Sequence, residues 1–338
     1  MLAGGVGSRF WPLSTPERPK QLLPLVNDEP LLVNTLDRLR PLVPGENTLI
    51  LTNASLVDAI AAVAPQIPGS NIIAEPEPAG TAAALTWAAN EILQRSGEDA
   101  TMLCVHADWA VADDDGFRRA LAAAETVAKL ENALVTVGIV PTRPDPGFGY
   151  IQPGDETDSG ARKVQRFVEK PNRERAATMM HSGFLWNSGI FVWRVGDFLD
   201  EVRTHTPEVA ESLALNSKDL SKFFSGVKPV SVDVGVLERS SRVRVIPGDF
   251  GWDDVGTWGA LRRVKPEDQN ANVSYGRTFT LDARGNVIHA EGNAVVLYGV
   301  SDVVVVTRGG LTLVTTIDKS ADLKTLIDSL PQDLRDTQ

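Results

Sequence analysis

The chain predicts an α/β fold, a mostly parallel sheet with helices on both faces, followed by a small β-rich C-terminal domain. Three observations carry this expectation. Short apolar runs alternate with helical patterns through the first half of the chain. After about residue 260 the helical signals fade, and short β-branched runs separated by turn residues take over. The 338 residues, 43% hydrophobic and 23% charged, leave room for one large or two medium cores.

Residues 48–52, 71–74, 101–105 and 133–140 are apolar runs of the kind found in strands covered on both faces. Between them, 31–39, 55–64, 81–94 and 116–129 place apolar residues three and four apart and are rich in alanine and leucine, which predicts helices. This alternation implies a doubly wound, Rossmann-like sheet filling residues 1–262. Ligands of such sheets sit beyond the carboxyl ends of the strands, so the first loop and His106-Ala107-Asp108 are expected to converge. A second domain is expected over 270–338, with strands at 277–281, 286–289, 294–298, 303–307 and 312–315. Their regular spacing suits either a small β-sandwich or a few coils of parallel β-helix. The valine run 303–306 should be buried there or in a subunit contact, and 320–330 reads as a final helix capped by Ser320.

Composition narrows the function classes. A net charge of -11 argues against a general nucleic-acid-binding surface, which needs a basic face, so any phosphate site must be locally basic or metal-assisted. No apolar run approaches the roughly 20 residues of a membrane span, and no signal-like segment opens the chain, so a cytoplasmic protein is expected. The single Cys104 lies in an apolar run and reads as a small buried hydrophobe. The four histidines lack metal-ligand spacing, and His106 reads as a structural hydrogen-bonder.

Chemistry concentrates in Leu2-Ala3-Gly4-Gly5-Val6-Gly7-Ser8-Arg9-Phe10-Trp11-Pro12-Leu13, followed by Pro19-Lys20-Gln21-Leu22-Leu23. Glycines let the backbone approach a polyphosphate, Arg9 offers a fork of donors, and Lys20 is a compact charge suited to a departing pyrophosphate. A dinucleotide loop would run into a helix, which Pro12, Pro16 and Pro19 oppose, and no G-K-[ST] follows the last glycine. What is left is a long, proline-stiffened loop that wraps phosphates.

These segments resemble the signature of the sugar-1-phosphate nucleotidylyltransferases, and within them the mannose-1-phosphate guanylyltransferases. The resemblance implies GTP and mannose 1-phosphate as substrates, GDP-mannose and pyrophosphate as products, Mg²⁺ (or Mn²⁺) as cofactor, and a homodimer formed through the tail. It also favours the left-handed β-helix for that tail. Arg9 and Lys20 would be catalytic, and Leu2, Ala3, Gly4, Gly5, Gly7, Ser8, Gly80 and Thr81 would bind the nucleotide.

Further matches follow in order. Gly149-Tyr150-Ile151 resembles the family's G-Y-I, in which the glycine backbone lies against the sugar. Phe167-Val168-Glu169-Lys170-Pro171 resembles the segment whose glutamate accepts from sugar hydroxyls and whose lysine, here Lys170, holds the sugar phosphate. Trp186-Asn187-Ser188-Gly189 resembles the segment in which Asn187 would reach the sugar. Trp252-Asp253-Asp254-Val255-Gly256 resembles W-x-D-x-G with Asp254 at the metal position; Asp253 competes for that role, and Asp108 would be the other ligand. Two carboxylates with substrate phosphates suit Mg²⁺, which rarely has an all-protein cage. Glu75 replaces the glutamine of pyrimidine-selective relatives, and a carboxylate accepts both N–H groups of guanine. The alternatives are another hexose 1-phosphate as substrate, or a silent nucleotide-sugar binder.

Overall fold

The computed structural model describes residues 1–5 and 7–335; the last three positions of the second expected domain, 336–338, lie outside the described residues. The expected parallel strands are β1 (Ile50–Asn53), β2 (Ile72–Glu75), β3 (Thr101–Cys104) and β4 (Leu134–Ile139). Helices α1 (Leu31–Leu39), α2 (Val57–Val63), α3 (Gly80–Ser96) and α4 (Asp114–Glu131) accompany them. Asp113 starts α4 by accepting the Gly116 N–H, which satisfies one of the open donors of the first turn.

The segment between α4 and the C-terminal region extends this sheet. β5 (Tyr150–Glu156), β6 (Arg162–Val168), β7 (Leu185–Arg194) and β8 (Val243–Gly248) join it in the order β3-β7-β4-β8-β6-β5. β4 and β8 are parallel, whereas β7 runs antiparallel between β3 and β4. Helices α5 (Arg173–His181), α6 (Val195–His205), α7 (Pro207–Asn216) and α8 (Leu220–Gly226) lie in this stretch, followed by a π-helical turn, Asp233–Leu237. Leu2 bridges β1 and the end of β3, pairing in parallel with Leu51 and His106. One large core lies on each face of the sheet.

The amine of Met1 is buried just ahead of the Leu2 bridge, and it donates to the Leu49 carbonyl at 2.7 Å. Beside it, two cavities of about 390 and 90 Å³ share Val43, Leu49, Ile92, Thr101 and Leu103 along the rims of β1 and β3. Burial lowers the amine to about 6 from an ordinary value of 8, so the folded chain holds this proton less well than the unfolded chain. Stability attributable to this group is therefore present above pH 8 and lost as pH falls toward 6, about 3 kcal/mol across the window. An apolar extension of three or four residues ahead of Met1 is expected to fill the groove and remove the charge. Thermal melts should show a gain of several degrees at pH 6 and a flattened pH 6–8 dependence; matching melts of the two chains would refute the account.

After α9 (Leu261–Val264) the chain becomes coils of parallel β-helix, which decides between the two tail architectures. β9 (Val273–Tyr275), β11 (Val287–Ala290) and β13 (Val303–Arg308) stack in parallel, as do β10 (Thr278–Leu281) and β12 (Val295–Tyr298). β14 (Leu311–Thr316) closes the first stack antiparallel. Buried asparagines rung this stack: Asn286 donates to Asn272 at 2.8 Å and accepts from the Val303 N–H at 3.0 Å. Of the valine run 303–306, Val304, Val305 and Val306 are buried as expected, while Val303 is half-buried. The last expected helix is shorter than the sequence suggests, α10 (Leu323–Ser329). Ser320 does not cap it, because its hydroxyl donates to the Ile317 carbonyl within a preceding 3-10 turn.

A third core joins this tail to the N-terminal loop. Phe10, Trp11, Leu13 and Leu23 pack with Trp258, Val273, Val287, Val304, Val306, Leu313 and Leu323. Arg308 donates to the Leu13 carbonyl at 2.7 Å, and Arg18 pairs with Glu291 at 3.2 Å.

Candidate active site

Two adjoining cavities open at the carboxyl ends of the parallel strands, with volumes of about 540 and 570 Å³. They share Leu2, Thr81, His106 and Asp108, so together they form one elongated cleft. The first loop and the segment after β3 therefore do converge, as doubly wound topology requires.

The loop builds the middle of the cleft. Gly7 adopts φ +68°, a conformation unfavourable for side-chain-bearing residues, and any Cβ there would run into the stem of Lys20. Lys20 is only 6% exposed, and its ammonium reaches Asp108 Oδ2 at 2.9 Å and the main-chain carbonyl of Asp254 at 2.5 Å. Arg9 is exposed along the cleft and has no hydrogen-bond or ion-pair partner among the described residues, leaving its donors free. Gln21 secures the lysine segment by donating to the Ala3 carbonyl at 2.6 Å.

Asp108 and Asp254 both face the cleft, on turns joined by reciprocal main-chain hydrogen bonds between Ala110 and Asp253 at 2.9 and 3.0 Å. Burial pushes the Asp108 carboxyl up, but Lys20 and His106 more than offset this and hold it below its ordinary range. Asp254 is raised, by burial first and by the nearby carboxylate of Asp253, against the pull of Lys20. Asp253 itself turns away from the cleft. It pairs with Arg263 at 2.6 Å and Arg143 at 3.6 Å and accepts the Val255 N–H at 2.9 Å. That last bond supports Val255 at φ +46°, a strained setting for a β-branched residue, immediately after Asp254. Among the described residues no group of three or more His, Cys, Asp and Glu side chains is arranged to hold a metal. Two facing carboxylates that leave other positions to phosphate oxygens are a donor set that fits Mg²⁺ or Mn²⁺.

One end of the cleft is lined by Leu2, Ala3, Gly4, Gly5, Gly80, Thr81 and Glu75. Burial raises the Glu75 carboxyl to about 7. The other end holds Gly149, Glu169, Lys170 and Asn187, and Ser8 lines the same cavity next to Gly7 and Arg9 in the loop. Glu169 and Lys170 pair with each other at 2.9 Å, both exposed, and Lys170 has the unusual φ of +41°.

The structure adds a residue that sequence reasoning missed. Asp233, at the head of the π-helical turn, lines the cleft and accepts from Asn187 Nδ2 at 2.7 Å. Its signal in the sequence was an acid between apolar residues in Ser231-Val232-Asp233-Val234, outside any recognised motif. Gly80 and Thr81 have a second contact besides the cleft. Gly80 packs so closely on Val230 that a side chain would not fit, and the Thr81 hydroxyl accepts the Val232 N–H at 2.9 Å.

Residues 1–271 match the family described as Nucleotidyl transferase. Over 353 residues the chain is 35% identical to the mannose-1-phosphate guanylyltransferase of Escherichia coli (strain K12), covering 99% of this chain and 73% of that protein. It is 33% identical over 350 residues to the alginate biosynthesis protein AlgA of Pseudomonas fluorescens, covering 98% and 71% respectively. A crystal structure described as mannose-1-phosphate geranyltransferase from Thermus thermophilus superposes with a TM-score of 0.89 at 37% identity, covering 97% of each chain.

Proposed function

The chain belongs to the nucleotidyl transferase family, and from that premise we propose that it transfers GMP from GTP to mannose 1-phosphate, giving GDP-mannose and pyrophosphate. The observation that carries this reading is one cleft with the Glu75 carboxylate at one end, a Glu-Lys-Asn cluster at the other, and Arg9 and Lys20 between them.

A phosphate oxygen of the sugar phosphate attacks the α-phosphorus, and the bond to the β-phosphate bridging oxygen breaks, its electron pair leaving with pyrophosphate. The nucleophile is anionic near neutral pH, so no general base is needed, and positioning with charge neutralisation suffices. Lys170 holds the attacking phosphate. Arg9 and Lys20 steady the pyrophosphate, Lys20 exchanging its bond to Asp108 for the leaving oxygens. Asp108 and Asp254 would hold a divalent ion, Mg²⁺ or Mn²⁺, which supplies further neutralisation of phosphate charge. Leu2, Ala3, Gly4, Gly5, Gly7 and Ser8 bring main chain to the nucleotide, while Gly149 and Glu169 face the sugar.

Pyrophosphate release with mannose 1-phosphate tests the reaction, using GTP, ATP, UTP and dTTP separately with and without Mg²⁺. Release with GTP and metal alone is the expected result; release with another nucleotide would overturn the base assignment, and none with any sugar phosphate would favour a silent binder. Among the described residues no helix is long and apolar enough to cross a membrane. Phe279, Leu281, Val296 and Tyr298 project outward from β10 and β12, and this apolar face is where a second copy would meet the tail.

Glu75 makes the base preference pH-dependent. Only its carboxylate accepts both guanine donors, and with the free group near 7 the ionised fraction falls to about a tenth at pH 6. The KM for GTP should rise about fivefold to tenfold from pH 8 to pH 6, while Glu75→Gln should flatten this profile and erode selectivity against UTP. A profile unchanged by the substitution would remove Glu75 from base recognition.

A further inference from the structure

Asp233 has a location and a set of partners that the reaction outlined above does not use. Its Oδ1 accepts from Asn187, and the other donor acting on the carboxyl is its own main-chain N–H. No lysine or arginine pairs with it among the described residues, although Glu169 is close enough to raise its pKa further beyond the effect of burial. His106 and these two donors favour the carboxylate, yet burial prevails, and a recessed carboxylate with no lysine or arginine paired to it is costly to the fold. Its negative charge also makes this the wrong place for a phosphate and the right place for neutral hydroxyl donors.

The segment carrying it is held from several directions. Ala82 donates its N–H to the Val230 carbonyl at 3.2 Å, Thr81 accepts from Val232, and Thr206 donates to the Gly235 carbonyl at 2.6 Å. Glu238 donates its N–H to the Asp233 carbonyl at 2.8 Å. Asn187 is correspondingly committed, since its amide nitrogen serves Asp233 and its oxygen accepts the Gly189 N–H at 3.4 Å. Side chain and main chain alike thus aim Asp233 into the cleft.

We propose that Asp233 is a hydroxyl-reading carboxylate of the sugar end that selects among hexose 1-phosphates, with Asn187 and Thr81 as its positioning residues. The proposal rests on the cleft being a nucleotidyltransferase site for a hexose 1-phosphate. A carboxylate accepts from two hydroxyls at once, and hexose epimers differ in where those hydroxyls point. A substrate with one misdirected hydroxyl would leave a recessed acceptor unpaired, which discriminates more strongly than the loss of an apolar contact.

The test compares wild type, Asp233→Asn and Asp233→Ala with mannose, glucose and galactose 1-phosphates at saturating GTP, and with GTP at saturating sugar phosphate. The near-isosteric Asp233→Asn should raise KM for the preferred hexose 1-phosphate about 10- to 100-fold and reduce its advantage over the other two hexoses about tenfold. The KM for GTP should stay within about threefold, and the melting temperature should not fall. Unchanged selectivity, or equal losses for GTP and sugar with a lower melting temperature, would overturn the proposal. If wild type prefers a hexose other than mannose, the mannose assignment fails while this comparison proceeds unchanged on that sugar. If no sugar phosphate turns over, calorimetric titration of mannose 1-phosphate into wild type and Asp233→Asn decides: weaker binding by the variant upholds the role, and equal or absent binding overturns it.

Discussion

Asp254→Asn should lower kcat by about a thousandfold or more while leaving the melting temperature unchanged or raised, and Asp253→Asn should do the reverse. Asp254 is a carboxylate that burial and Asp253 both disfavour, so neutralising it relieves the fold. Asp253 is 5% exposed and joins Arg263, Arg143 and the strained Val255, so its neutralisation leaves cations short of a partner. Asp108→Asn belongs with Asp254→Asn in activity, with some loss of stability because Lys20 loses its ion pair. Steady-state turnover across a Mg²⁺ series, paired with thermal melts, separates the three. Full turnover by Asp254→Asn with loss in Asp253→Asn at unchanged melting temperature would exchange their roles.

Truncation after Lys265 should abolish both activity and cooperative folding, although every residue assigned to the cleft remains. The tail contributes Val273, Val287, Val304, Val306, Leu313 and Leu323 to a core whose other wall is Phe10, Trp11, Leu13 and Leu23. Exposing Phe10, Trp11, Leu13, Leu23 and Trp258, the side of that core left behind, costs on the order of 10 kcal/mol, comparable to the whole stability of an ordinary domain. The loop also loses the Arg308 bonds to the Pro12 and Leu13 carbonyls and the Arg18–Glu291 pair. Circular dichroism and a pyrophosphate assay on the truncated chain check this. A folded, active fragment of residues 1–265 would show that the loop keeps its shape without the tail.

The strands and helices up to residue 140 were legible because parallel strands covered on both faces become apolar runs, and amphipathic helices repeat at their own period. The β5–β7 region was not. β6 carries Arg162, Lys163, Gln165 and Arg166, so its apolar alternation is diluted, and nothing local says that β7 will insert antiparallel between β3 and β4. That the first loop lines the cleft was readable because its glycines, arginine and lysine are close together in the chain. Separating Asp253 from Asp254 required Arg263 and Arg143, ten residues and more than a hundred residues away along the chain. Asp233 was hidden for a similar reason: its partner Asn187 lies 46 residues away, and its neighbours in sequence are apolar.

The contacts from the start of α3 to residues 230–232 put both ends of the cleft under the influence of one helix terminus. Gly80 and Thr81 face the nucleotide end, yet the next hydrogen bonds lead to the turn that carries Asp233. A shift of that terminus imposed by one substrate would reach the other, and such coupling would be reciprocal, nucleotide and sugar phosphate changing each other's affinity by the same factor whichever arrives first.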